Sequence, residues 1–89
     1  MKAIVTVVGK DQVGIIAGVC IKLAEYNVNV LDISQTVMQG YFTMMMVVDV
    51  SVCSIPLAQL GLEMEEVGKA KGLSIRVQRE DIFEAMHRI

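Results

Sequence analysis

The dipeptide Gln39-Gly40 separates two runs that alternate apolar and polar residues, and it constrains this chain more than any other feature. Two-residue β-hairpin turns need positive φ, which glycine supplies at no steric cost. Pairing outward from the turn sets Val37 opposite Phe42, Ile33 opposite Met46 and Leu31 opposite Val48. The same register sets Thr36 opposite Thr43 and Ser34 opposite Met45. Apolar residues meet on one face and mostly polar ones on the other, and a slip of one residue would invert both. Gln35, opposite Met44, is the one polar residue on the apolar face. Phe42, Met44, Met46, Val48 and Val50 then line a core, and the run Met44-Met45-Met46 reads as core filling with one exposed residue. Val28 and Val30 fall out of phase with the rest of their strand. A bulge near Val30-Leu31 is expected to reset it, at a sheet edge where bulges concentrate.

The flanking segments supply the other elements. Residues 2–8 are apolar at nearly every position, the pattern of a central strand. Gly9 permits a tight exit, Asp11 can cap a helix, and Gly14 falls inside the first turn at a cost of up to ~1 kcal/mol relative to alanine. From Val13 to Tyr26 two stripes share the helix. Val13, Ile16, Ala17, Cys20, Leu23 and Ala24 form the main one, and Ile15, Val19 and Tyr26 lie beside it. An apolar surface that wide predicts contact with a second helix or a partner subunit as well as the sheet. Ser54-Ile55-Pro56 marks a second helix start, with Ser54 as cap and proline in the first turn. Leu57, Leu60, Met64 and Val67 repeat along this helix, and Gly72 ends it. Leu73, Ile75 and Val77 alternate with polar residues in a last strand. The chain closes on a helix-like tail with Ile82, Phe83, Met86 and Ile89 on one side. The order is β-α-β-β-α-β. Right-handed crossovers make it an α+β, ferredoxin-like sandwich over residues 1–80: a four-stranded antiparallel sheet with two helices on one face. A short C-terminal helical tail follows at 81–89.

Composition removes several functions. The chain has 89 residues, of which 54 % are hydrophobic, more apolar surface than one small domain readily buries, so an oligomer is expected. A net charge of −2 without a basic block argues against nucleic acid. Cys20 and Cys53 form no C-x-x-C pair and read as buried free thiols in a reducing cytosol. No apolar run reaches the roughly 20 residues that cross a bilayer, and no signal peptide is read at the start. An RNA-binding sheet would need aromatic residues on the open face of its central strands, where only Tyr41 is available. A metal chaperone would need a cysteine pair in the first loop. An acylphosphatase-like enzyme would need an arginine there and an asparagine on the third strand. His87, in the tail, reads as a surface residue, and no nucleophile, base or paired carboxylates can be assembled. No cofactor or metal is expected. What survives is the turn from Gly9 to Ile15. Free N–H groups at the positive end of a helix dipole there suit a carboxylate.

Strand-Gly9-Lys10-Asp11-Gln12-Val13-Gly14-Ile15-Ile16, then a helix and Tyr26-Asn27-Val28-Asn29-Val30, resembles the ACT domain, a regulatory βαββαβ module that commonly binds amino acids at a dimer interface. The resemblance spans residues 2–80. Asp32 to Val37, Tyr41 to Met46 and Ile82 to Met86 resemble a narrower group of small stand-alone ACT proteins, distantly similar to the glycine-cleavage-system repressor. The resemblance implies a site formed by Gly9, Lys10, Asp11, Gln12, Val13, Gly14 and Ile15 of one subunit and by Asn29 and Val30 of its neighbour. Backbone N–H groups near Val13 to Ile15 would hold the carboxylate, and Asp11 or the Asn29 amide would receive the ammonium. Many members carry proline where Val13 lies, and some serine-binding members carry histidine where Gly9 lies, so the amino acid stays open. Two hypotheses follow. One is a cytoplasmic, non-catalytic homodimeric sensor that binds an amino acid and signals to a protein partner, without contact to nucleic acid or membrane. The other is a ligand-free protein–protein assembly module.

Overall fold

The computed structural model describes residues 1–10 and 12–86. The cap expected at Asp11 and the tail residues His87 and Ile89 lie outside the described residues. Gln39 and Gly40 take φ of 51° and 83°, positive at both positions as the tightest right-twisted hairpins require. They join β2 (Asn29–Met38) to β3 (Tyr41–Asp49). The register follows the alternation: Val37 faces Phe42, Thr36 faces Thr43, Gln35 faces Met44, Ser34 faces Met45 and Ile33 faces Met46. The ladder then slips between Val30 and Asp32. Leu31 is the extra residue, so Val30, and not Leu31 as the alternation had placed it, lies opposite Val48. That bulge returns Val30 to the core side without breaking the strand.

Two further strands complete the sheet, β1 (Lys2–Lys10) and β4 (Ser74–Arg79), in the order β2-β3-β1-β4, antiparallel throughout. β1 lies between β3 and β4, with its helix-facing side chains buried. Ala3, Val5 and Val7 are buried among the helices, and Ile4 is buried on the opposite side. β1 runs on through Gly9 to Lys10, so Gly9 lies within the strand and not at its exit. A Cβ at Gly9 would come 2.5 Å from Leu73 Cδ2 and 3.3 Å from the Gly72 carbonyl oxygen. The missing side chain makes room for the start of β4.

Helices α1 (Ile15–Glu25) and α2 (Leu57–Lys71) cover one face of the sheet and share one core with Phe42, Met44, Met46 and Val48. α1 buries Ile15, Val19 and Leu23, whereas Val13 is fully exposed and Ile16, Ala17 and Ala24 face solvent. The inner face thus combines Ile15 and Val19 of the side stripe with Leu23 of the main one. Both stripes have helical spacing; α1 starts only at Ile15, which leaves Val13 outside the helix, and Ile15, Val19 and Leu23 remove more apolar area from water than Ala17, Cys20 and Ala24 can. Tyr26 continues the inner stripe, and its hydroxyl donates to Glu63 of α2 at 2.7 Å. α2 begins at Pro56, whose φ of −59° suits a helix entry, and has no side-chain cap. Ser54 is not the cap: its backbone N–H donates to the Tyr26 carbonyl at 2.9 Å, tying the loop to the end of α1. Gly72, with φ of 71°, ends α2, as its position after the last apolar repeat predicts. A short helix, α3 (Glu80–Met86), leaves β4 and carries Phe83 and Met86 onto the sheet face opposite α1 and α2.

Candidate functional site

The turn between β1 and α1 is built by Gly14. Its φ of 85° is left-handed, a region that costs other residues about 1–2 kcal/mol, and it lets the chain enter α1 directly at Ile15. Gly14 is therefore the residue that caps the helix, outside the first turn in which the sequence pattern placed it. A glycine cap carries no side chain, and among the described residues α1 starts without a side-chain capping bond and without an acidic residue in its first turn. The first intrahelical bond runs from the Gly18 N–H to the Gly14 carbonyl, 2.9 Å. The N–H groups of Ile15, Ile16 and Ala17 precede it and form the positive end of the helix.

These groups border an open depression of about 280 Å³ between α1 and the β2 edge. Its lining is Gln12, Gly14, Ile15, Ile16 and Ala17 from the turn and helix, and Gln35, Val37 and Phe42 from the hairpin. Of the nine residues in the expected site, the structure brings Gln12, Gly14 and Ile15 here. Ile15 is buried beneath the floor, and the Gln12 amide donates to the Lys71 carbonyl at 2.9 Å, which anchors the turn on the end of α2. Val13 projects into solvent. Gly9 and Lys10 pair with Phe42 and Tyr41 as strand residues. Asn29 and Val30 lie at the far end of β2, opposite Asp49 and Val48, and do not reach this depression within one chain. Gln35, Val37 and Phe42 are site residues that the loop motif did not name. Gln35 carried a signal all the same, as the single polar residue on the apolar face of the hairpin.

The depression opens onto a bare edge. Nearly every residue of β2 is exposed, including Leu31, Ile33 and Val37, which is 55 % accessible. Beyond the bulge at Leu31 and Asp32, β2 has neither proline nor lysine to guard it against pairing with another strand, and Ile33 to Met38 form a regular run. Among the described residues no group of three or more His, Cys, Asp or Glu side chains could hold a metal ion, and no helix is long and apolar enough to cross a membrane.

A family model for the ACT domain matches residues 2–78. The chain belongs to the ACT domain family. The domain is 54 % identical over 89 residues to a UPF0237 protein of Clostridium acetobutylicum, covering all of both chains. Its backbone matches an ACT domain protein from Streptococcus pneumoniae with a TM-score of 0.83 at 50 % identity, over 98 % of each chain. It also matches the regulatory subunit of an aspartate kinase from Thermus thermophilus in its ligand-free form. That likeness has a TM-score of 0.64 at 30 % identity, over 86 % of this chain and 50 % of the other. A glycine cleavage system transcriptional repressor shares the fold, with a TM-score of 0.77 at 20 % identity, over 88 % of this ACT domain and 44 % of the repressor. Both the family and the ferredoxin-like architecture expected from the residues are therefore established.

Proposed function

We propose that this ACT domain is a non-catalytic, cytoplasmic regulatory module that binds a small ligand, an amino acid, where two copies meet along β2. The observation that carries the reading is the position of the depression: a helix start with no side-chain cap among the described residues, beside the exposed edge strand β2. A two-fold antiparallel union of two β2 strands would extend the sheet and pair its free backbone groups. It would also bring Asn29 and Val30 of the second copy alongside Gln35 and Val37 of the first. The halves of the expected site, which one chain keeps apart, would then meet. N–H groups of Ile15 to Ala17 would receive the carboxylate, and Asp11, Gln35 or Asn29 of the second copy the ammonium. The family and the likeness to a regulatory kinase subunit support a regulatory role.

Thermal unfolding of the purified protein against all common amino acids tests this reading. A ligand at about one hundred times its dissociation constant adds about 2.7 kcal/mol, which moves the midpoint of a domain this small by on the order of 10 °C. A shift for one or two amino acids is expected, lost in Asp11→Ala and Asn29→Ala. Flat curves across the panel would overturn the sensor and favour the ligand-free assembly module.

A further inference from the structure

The sheet face turned away from α1 and α2 carries a second cavity. Pairing across three strands places Met45, Thr6 and Arg76 in one row, since Thr6 faces Met45 on β3 and Arg76 on β4. Ile4 and Gln78 form the next row. α3 crosses above them, and Phe83 and Met86 border an open depression of about 340 Å³ whose other walls are Thr6, Met45, Arg76 and Gln78. The Gln78 amide donates to Met86 Sδ at 3.5 Å, a weak bond that holds the helix end over the sheet. Arg79, three residues on and on the other face of β4, is clamped by both carboxylate oxygens of Asp81 at 3.1 and 2.7 Å. Arg76, which lines the cavity on the same row as Thr6, has no such carboxylate partner among the described residues. An arginine stays charged at all ordinary pH and presents a fork that fits a carboxylate. The opposite walls are a ring and two thioethers, soft apolar surfaces that adapt to a flexible chain.

We propose that this cavity is a second ligand site, on the other side of the sheet from the amino-acid depression, and that it takes an amphiphilic monoanion. A carboxylate would sit at the Arg76 guanidinium and the Thr6 hydroxyl. An apolar chain would lie between Met45, Phe83 and Met86. At about 30 Å³ for each water-sized volume, the space suits a molecule of roughly ten non-hydrogen atoms. That is the size of a medium-chain carboxylate.

The test is an NMR titration of the full chain, amide-labelled, with octanoate as the probe. Saturable shifts are expected at Thr6, Met45, Arg76 and Phe83, with Gly14 and Ile16 unmoved. Arg76→Gln, at an exposed position, should keep the spectrum of the folded protein and weaken octanoate by about fivefold, the scale of a solvent-exposed charge pair. Met45→Glu, which sets a like charge beside the carboxylate, should abolish the shifts. Octylamine should leave these residues unmoved. Equal affinity of octanoate for wild type and Arg76→Gln, equal binding of octylamine, or no saturation would overturn the proposal. So would movement of the same signals on dilution of the protein alone, which would assign the cavity to a second copy of the chain.

Discussion

Tyr26 shows what one side chain does between two helices. Its hydroxyl donates to Glu63 Oε1 at 2.7 Å while Lys22 Nζ lies 5.5 Å from the ring centre. The hydrogen bond to Glu63 raises the phenol above its ordinary value. Burial and the Glu63 charge add to the rise, against the opposing pull of Lys22. A group raised on folding contributes stability that is complete below its unfolded pKa, about 10, and is lost as pH climbs through its higher folded value. Ultraviolet titration should therefore find one tyrosine ionising late, and Glu63→Gln should bring that transition down toward the ordinary range. A late transition unchanged in Glu63→Gln would show that the hydrogen bond is not its cause. Nothing in the local sequence points to this pair, because Tyr26 and Glu63 meet only when α1 and α2 pack on one sheet.

At the scale of elements, two glycines of α2 make opposite predictions. A Cβ at Gly68 would come 2.5 Å from the Leu73 carbonyl oxygen and 3.2 Å from Ile75 Cγ1, whereas a Cβ at Gly61 would meet nothing within 4 Å. Alanine in a helix interior is favoured over glycine by about 1 kcal/mol. Gly61→Ala should therefore stabilise the protein by roughly that amount in urea unfolding. Gly68→Ala should destabilise it by about 1–3 kcal/mol, since the backbone of the turn into β4 must move. The same distinction separates what could be read in advance from what could not. The hairpin register and the bulge at Leu31 were legible because period-two alternation and turn chemistry are local and agree with each other. The inner face of α1 was not, because two stripes of equal spacing competed and only packing chose between them. Gly9 looked like a strand exit, and its real constraint is Leu73, remote in sequence. The site was half legible. Its helix start was visible at Gly14, but Val37 and Phe42 join it only through the fold.

For the whole molecule, the decisive fact is that a two-layer slab of 35 × 34 × 20 Å leaves one sheet edge and much of one sheet face uncovered. On β2 the exposed Ile33 and Val37 point toward the helix side, where a second copy would cover them. Ile33→Lys and Val37→Lys set charges along that edge, the means by which free strands are kept from pairing. Sedimentation equilibrium should find a dimer for the wild type and a folded monomer for the double variant. A dimer that survives both lysines would place the contact elsewhere.

The central position of β1 has a kinetic consequence. The β2–β3 hairpin is local and can close on its own in microseconds, but β1 reaches its place only by pairing with β3 and with β4, the strand made last. A chain growing from the ribosome therefore carries the apolar β1 without a complete partner set until Ser74–Arg79 has emerged. The first strand of this domain is among the last to be secured, and during that interval β1 and the open hairpin are the segments through which nascent copies would meet the wrong neighbour.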